Sequence, residues 1–418
     1  MIGQRIRYYR KTKSLTQEEL AKGICSVSYL SKIENGDAKS SDDVIQLLCE
    51  RLGISPESQE LDVNFIGLLN EWNYYLTLRK SKEAKEIYLK IEDQIPFIED
   101  PNIILRYKLF LTRQYLTEKK AEDAYNLLKD LKKYKDIDFD SSLKFYHYFI
   151  LGLYNYITYD YRESIDYFYK AEPYLVQTPL TEVEIATFYY NIALTLTHLT
   201  HNTSVISYAN KALNIFDKDY HFTRSSDCQI LLGIVNRRIK NYSQSEYHFS
   251  QALKFAESFN DSKGLSVIYH NLGYVHSSKG DGKKAIEFYH KSIKIKEKIK
   301  DQSIHITYYL IAQEYFNLGE PTSSSMWLEK TFNNLEKNPD KEYLIHYKVL
   351  KYRLDNDHGK EYEQFIKKEA IPFFQEQNIL ERVCEYATLL AEYYFNNSQY
   401  KSSSEYYKLA LEASQQYF

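Results

Sequence analysis

Residues 267–293 read VIYHNLGYVHSSKGDGKKAIEFYHKSI. The first half is a helical pattern with Leu272 and Gly273 near its centre. A short loop follows, then a second helical pattern in which Ala285 precedes Tyr289 by four residues. Sliding this pattern along the chain puts equivalents of Gly273 at Trp72, Thr112, Gly152, Ala193, Gly233, Ala312, Leu350 and Ala391, with steps of 38 to 41 residues. Copies on so regular a step predict an array of paired helices from about Asp62 to the end of the chain. Trp72, Thr112 and Leu350 are the poorest matches to a small residue.

The copy at 267–293 resembles a tetratricopeptide repeat, whose usual length is about 34 residues. The longer step predicts longer paired helices. Each pair packs only on its neighbours, and the accumulated rotation predicts a superhelix with a concave inner face. The expected fold is therefore all-α: an N-terminal helix-turn-helix domain over residues 1–61, then a right-handed superhelix of about nine tetratricopeptide-like repeats over residues 62–418.

Composition agrees with a helical chain. Hydrophobic residues make up 44% and charged residues 27% of the 418, with only 13 Gly and 8 Pro, which excludes a disordered or loop-rich protein. The 42 Tyr suit helix seams, where a ring packs while its hydroxyl reaches water or a polar partner. Cys25, Cys49, Cys228 and Cys384 lie far apart with no CxxC pair, against a disulfide framework or a zinc site. A reducing cytoplasm is the expected compartment. The N-terminus passes from charged residues to a capped helix without an apolar h-region. The most apolar run, Phe145–Tyr161, is interrupted by His147, Asn155 and Thr158, and reads as a buried helix rather than a membrane span.

Net charge is −3, yet residues 1–40 hold eight Lys/Arg against four Asp/Glu, a basic end suited to a polyanion. Five short helical patterns fit between Ile2 and Leu61. In the second, Thr16 and Glu19 form the S/T-x-x-E capping box, and Leu20 and Ala21 supply the buried face. After a turn at Ile24 and Cys25, Ser26 caps a third pattern, VSYLSKIEN, with Leu30 and Ile33 inward and Val27, Ser28, Tyr29 and Lys32 outward; Gly36 ends it.

The run TQEELAKGICSVSYLSKIENG resembles the helix-turn-helix of phage-repressor and xenobiotic-response-element regulators, with one residue fewer in the turn. The shortened turn and its GICS wording are most similar to the peptide-sensing quorum regulators of the RRNPP group from Gram-positive bacteria, the PlcR and NprR branch in particular. That resemblance implies an operator contact in which Gln17 holds a phosphate and Val27, Ser28, Tyr29 and Lys32 enter the major groove, flanked by Ser26 and Asn35. Physical chemistry points the same way: a helix N-terminus offers backbone N–H groups to phosphate, and Lys32 with the Ser28 and Tyr29 hydroxyls can meet base edges or phosphates. Arg5, Arg7, Arg10 and Lys11 are further candidates for salt-dependent backbone contacts.

The resemblance also implies a short signalling peptide in the repeat groove, its backbone clamped by inner-helix asparagines, because one carboxamide offers a donor and an acceptor matched to a peptide unit. Asn191 and Asn271 occupy the same repeat position; His270, Tyr274, Tyr309 and Gln313 are their neighbours by register. Arg106 and Arg113 face inward from the second repeat, suited to a carboxylate. The fifth repeat has Leu231 where the asparagines stand, which shifts contact there to Asn236 or Arg237. No HExxH, GxSxG, Walker loop or GxGxxG is present and the 11 His lack metal spacing, so neither enzyme, cofactor nor metal is expected. The expected protein is a homodimer or higher homo-oligomer that binds double-stranded operator DNA under control of the peptide. The alternative, also from resemblance, is a module that sequesters a response regulator of the sporulation phosphorelay when peptide-free.

Overall fold

A computed structural model describes residues 2–37, 41–55, 60–131, 140–356 and 359–417, and among them there are helices and turns but no strand. Four short helices come first: α1 (Ile2–Thr12), α2 (Gln17–Ala21), α3 (Val27–Asn35) and α4 (Asp42–Leu52). Ile6, Leu20, Leu30, Ile33, Leu48 and Leu52 fill the core between them. The fifth short pattern expected before Leu61 lies partly outside the described residues. From Glu60 onward it is the start of an 18-residue helix, α5 (Glu60–Thr77), which crosses the expected boundary at residue 61.

Helix pairs follow from there. They are α5 with α6 (Ser81–Gln94), α7 (Pro101–Thr117) with α8 (Ala121–Leu131), α9 (Ser141–Ile157) with α10 (Tyr161–Ala171), and α11 (Glu182–His198) with α12 (Asn202–Lys218). Next come α13 (Phe222–Arg238) with α14 (Tyr242–Ser258), α15 (Ser262–Ser278) with α16 (Gly282–Ile299), and α17 (Ile304–Asn317) with α18 (Pro321–Leu335). In the eighth pair α19 (Lys341–Leu354) meets a helix in three parts, α20 (Lys360–Phe365), a π turn (Ile366–Ala370) and α21 (Ile371–Glu376). The ninth is α22 (Leu380–Asn396) with α23 (Tyr400–Tyr417). By internal packing the chain divides into two compact units, Met1–His221 and Phe222–Phe418. The apolar run at 145–161 contributes α9 to the first unit, with Phe145, Phe149 and Ile150 buried, and no helix among the described residues is long and apolar enough to cross a membrane.

The register read from sequence has a physical basis inside each pair. Gly152, Gly233 and Gly273 each face the ring that lies sixteen residues later, Phe168, Phe249 and Tyr289; a Cβ on these glycines would stand 2.4, 2.7 and 2.4 Å from it. Such closeness admits only hydrogen on the first helix. Ala193 and Ala312, at equivalent positions, are fully buried. Where the residue is large, the seam is rebuilt. Trp72 is fully buried with its ring 5.4 Å from Tyr88, again sixteen residues later, and its Nε1 donates to Gln114 Oε1 at 2.9 Å. A second tie recurs twelve residues after the small position: Ser164, Ser245 and Ser324 hydroxyls donate to the carbonyls of Gly152, Gly233 and Ala312 at 2.7–2.8 Å.

The turn between partners is equally regular. Arg79, Lys119, Tyr159, Thr200, Lys240, Gly280, Gly319 and Ser398 each stand seven residues beyond the small position, and all have positive φ, between 58° and 80°. The bonds Arg79 N–H to Leu76 O and Lys80 N–H to Tyr75 O show why: a left-handed residue lets the chain fold back and satisfy the last helical carbonyls. In the eighth pair Pro372 sits inside an otherwise continuous helix. It has no N–H for the carbonyl four residues earlier, and the π turn just before it absorbs the misfit.

Two glycines in first helices should respond oppositely to alanine. Gly273→Ala drives a methyl into the Tyr289 ring and should cost about 1–3 kcal/mol. Gly67→Ala, at a mid-helix site with nothing within 4 Å, should gain about 0.5–1 kcal/mol. Urea unfolding followed by circular dichroism measures both; equal and small effects at the two sites would rule out the close seam.

Candidate functional site

The head presents one polar helix face. Thr16 caps α2, accepting from Glu19 N at 3.1 Å while Glu19 Oε2 accepts from Thr16 N at 2.7 Å. Ser26 caps α3 by accepting from Tyr29 N at 3.2 Å, and Gly36 closes it in the left-handed region. The short turn between the helices is held from α4, whose Arg51 donates to the carbonyls of Leu20 and Lys22 at 2.9 and 2.5 Å. With Leu30 and Ile33 buried, Ser26, Val27, Ser28, Lys32 and Asn35 are exposed and Tyr29 is half-buried against the core. Residues 28, 32 and 35 share one face of the helix.

What holds α3 in place is a buried carboxylate. Glu34, 2% exposed, accepts from Arg10 Nε at 2.6 Å, Arg10 Nη2 at 2.9 Å and Gln17 Nε2 at 2.8 Å, joining α1, α2 and α3. Gln17 therefore keeps one carboxamide hydrogen for another partner. The arginines of α1 differ from the expectation of salt-dependent DNA contacts. Arg10 belongs to Glu34, Arg7 donates to Asn35 Oδ1 at 3.2 Å, and Arg5 is buried in an ion pair with Glu99. A basic run in sequence does not reveal that its carboxylate partners lie tens of residues away.

In the unit 1–221, the first helices of repeats one to four carry a polar cluster. Arg113 on α7 is 6% exposed; its Nη1 donates to Asn73 Oδ1 at 2.5 Å and to Thr77 Oγ1 at 3.0 Å, and its guanidinium lies 5.5 Å from the Phe149 ring centre. Glu184 on α11 closes a capping box with Thr181 through Oε2, while its Oε1 accepts from Asn73 Nδ2 at 2.5 Å and Tyr146 OH at 3.0 Å. Burial, then the Glu184 charge, pushes the Tyr146 hydroxyl well above its ordinary value, so it donates. Arg113, Tyr146, Glu184 and Thr187 line a small cavity of about 10 Å³, where the buried Thr187 hydroxyl has no hydrogen-bond partner among the described residues. Arg106, less buried, donates to Ser142 Oγ at 3.0 Å. The Arg106 and Arg113 charges both act on the Tyr146 hydroxyl, opposing that of Glu184. Asn73, Tyr146 and Glu184 escaped the sequence reading.

The candidate asparagines share one geometry. Asn191 Nδ2 donates to Thr187 O at 2.8 Å, Asn271 to Val267 O at 2.9 Å and Asn236 to Leu232 O at 2.8 Å, each four residues back on its own helix. That bond fixes the carboxamide and leaves its Oδ1 and second N–H for a ligand. Asn155, donating to Leu151 O at 2.8 Å, has the same arrangement, three residues past Gly152 as Asn236 is past Gly233. The register would have identified it.

In the unit 222–418 the structure brings Arg237 and Tyr274 together, the guanidinium 4.3 Å from the ring centre, and leaves Arg237 Nε buried without a hydrogen-bond partner among the described residues. Tyr274 OH in turn accepts from Arg382 Nη2 at 3.2 Å, and Arg382 pairs with Glu385 at 2.6 Å. His270 Nδ1 lies 3.0 Å from Thr307 Oγ1; burial, then Lys296 and Arg237, lowers its pKa to about 3. Tyr309 is 5% exposed and stacks on His346, ring centres 5.3 Å apart, so its ring serves the core. Gln313 is half-buried.

A helix-turn-helix family model matches residues 6–59 and a tetratricopeptide-repeat model residues 267–299. The transcriptional activator NprA of Geobacillus stearothermophilus is 33% identical over 399 residues, 94% of this chain and 98% of NprA. The chain belongs to the RRNPP family of regulators. Another relative, response regulator aspartate phosphatase I of Bacillus subtilis (strain 168), is 22% identical over 82% of this chain and 89% of its own length. Among solved structures, NprR in complex with its cognate peptide NprX shares the fold, with a TM-score of 0.69 and 24% identity over 86% of this chain and all of that one.

This RRNPP chain should be acid-labile through its buried and half-buried histidines. His248, His270, His276 and His346, all beyond residue 221, have pKa values lowered, chiefly by burial. A base depressed in the folded state takes up protons on unfolding, so its contribution is whole above its unfolded value, about 6.5, and is lost as pH falls below it. Calorimetry from pH 8 to 4 should show a flat melting temperature above about 7 and a steady fall beneath about 6.5, less steep in His270→Gln. A melting temperature independent of pH over that interval would show that these rings are not held neutral by the fold.

Proposed function

We propose that this chain is a DNA-binding transcription regulator of the quorum-sensing kind, whose grip on its operator is set by a short signalling peptide held by the first helices of its repeats. The observation that carries the reading is the uncovered polar face of α3, with Ser28, Lys32 and Asn35 aligned on a helix fixed from behind by Glu34. A nine-residue helix spans about 13 Å, which suits the major groove. Ser26, Val27 and Ser28 enter first, Lys32 and Gln17 meet phosphates, and Tyr29 supplies its hydroxyl at the rim. The naming of the NprA relative as a transcriptional activator supports this function and an activating sense.

The peptide half rests on the oriented asparagines. Asn191, Asn236 and Asn271, with Asn155 added, each offer one acceptor and one donor along the first helices, as a peptide backbone requires. Arg106 and Arg113 in the first unit, and Arg237 with Tyr274 in the second, suit carboxylates of the ligand, with His270, Tyr309 and Gln313 beside them. The NprX-bound NprR structure supports a peptide ligand in this fold. The regulator acts in the cytoplasm, as a homodimer or higher oligomer, so that two heads reach half-sites about 34 Å apart, and it performs no chemistry of its own. The relative named a response regulator aspartate phosphatase favours a second activity, capture of a response regulator by the peptide-free form.

Genomic footprinting at fixed salt, with wild-type protein and Lys32→Ala, tests the DNA claim. The wild type should protect discrete sites, and the variant should bind roughly 5–100-fold more weakly with a shallower salt dependence. Absence of any protected site for folded wild-type protein refutes it. In calorimetric titrations with exported peptides from the same genome, Asn271→Ala should cost about 1–2 kcal/mol of affinity; a pull-down of a response regulator that added peptide abolishes would establish the second activity.

A further inference from the structure

We infer that Glu99 docks the DNA-binding head onto the repeats in one fixed orientation, so that the head moves as an extension of helix α7 rather than as a domain on a free linker. Glu99 lies on the turn just before α7, and three groups from the head converge on it. Its Oε2 takes the guanidinium of Arg5 and the backbone N–H of Ser55 at 3.0 Å, and its backbone carbonyl accepts from Tyr9 OH at 2.9 Å. Arg5 is 8% exposed, and the fully buried Cys49 thiol shares its surroundings, pushed up by burial and drawn down by the Arg5 charge. The joint therefore contains α1 and Ser55, three residues past the end of α4, and none of the exposed α3 residues takes part in it.

On the other side, Glu99 is held as firmly. The next residue, Asp100, caps α7 by accepting from Asn102 N at 2.7 Å and Ile103 N at 3.3 Å; Pro101 opens the helix and Ile98 is buried behind the turn. A charged, multiply hydrogen-bonded contact of this kind fixes orientation more than it adds stability, because the desolvation of Arg5 offsets much of the attraction. Helix α7 also carries Arg106 and Arg113. If the proposed function holds, a ligand that shifts α7 shifts the anchor of the head with it, which gives the peptide a lever on the spacing of the DNA-reading helices.

The joint can be tested without DNA or peptide, so its fate is independent of the proposed function. Hydrogen exchange of the full chain is followed in wild type, Glu99→Gln, Glu99→Ala and Tyr9→Phe. Release of the head should speed exchange in residues 2–12 and 41–55 by at least about tenfold in Glu99→Ala, less in Glu99→Gln and by a few-fold in Tyr9→Phe, with protection in residues 222–418 unchanged. Unaltered head protection in Tyr9→Phe and both Glu99 variants overturns the inference. So does a rise in exchange equally large throughout the chain in Tyr9→Phe, which removes one hydroxyl.

Discussion

In the third, fifth and sixth repeats, two helices approach so closely at one point that an aromatic ring on the second touches backbone on the first. Much else in the array is a consequence of that contact. It demands a residue without a bulky side chain once in about forty, and it fixes the rotation of the second helix. The small position then sets the places of the serine that donates to its carbonyl and of the left-handed turn residue. Sequence is freer elsewhere, because each pair packs only on its neighbours. Trp72 shows the limit of the rule: a large residue is tolerated in the first pair, where its indole packs at a tilt against Tyr88 and finds Gln114 for its N–H.

Polar side chains in this protein are positioned before any ligand arrives. Asparagines on first helices spend one N–H on their own helix carbonyl, and Glu34 and Glu184 each gather donors from more than one helix. A group already oriented loses less freedom when a ligand binds. The same networks explain why cationic residues on a candidate face are not simply available: Arg113, Arg10 and Arg5 are each committed to a partner that stabilises the scaffold.

The all-α class, the forty-residue step, both caps of α3 and its exposed face were legible, because each depends on residues within a turn or two of one another. The Thr16–Glu19 box and the Gly36 stop stand in the structure as the spacing required. Pairings across repeats were not legible. Arg113 meets Asn73 forty residues back, Glu184 meets Asn73 at a separation of 111, and Arg382 meets Tyr274 at 108. No local pattern encodes such distances. Asn155 is a different case, since its register matches Asn236 and the run that hides it is dominated by aromatic and aliphatic residues.

A stack of repeats touching only their neighbours is expected to fray from its ends, each pair melting on its own account. The Arg382–Tyr274 bond departs from that scheme by joining the first helix of the ninth pair to that of the sixth. It closes a ring of four repeats, with Arg237 of the fifth stacked on the same tyrosine. Loss of the terminal pair would then be felt three repeats away, and the unit 222–418 should behave as one cooperative block, with a higher contact order and slower folding than a linear array of its length.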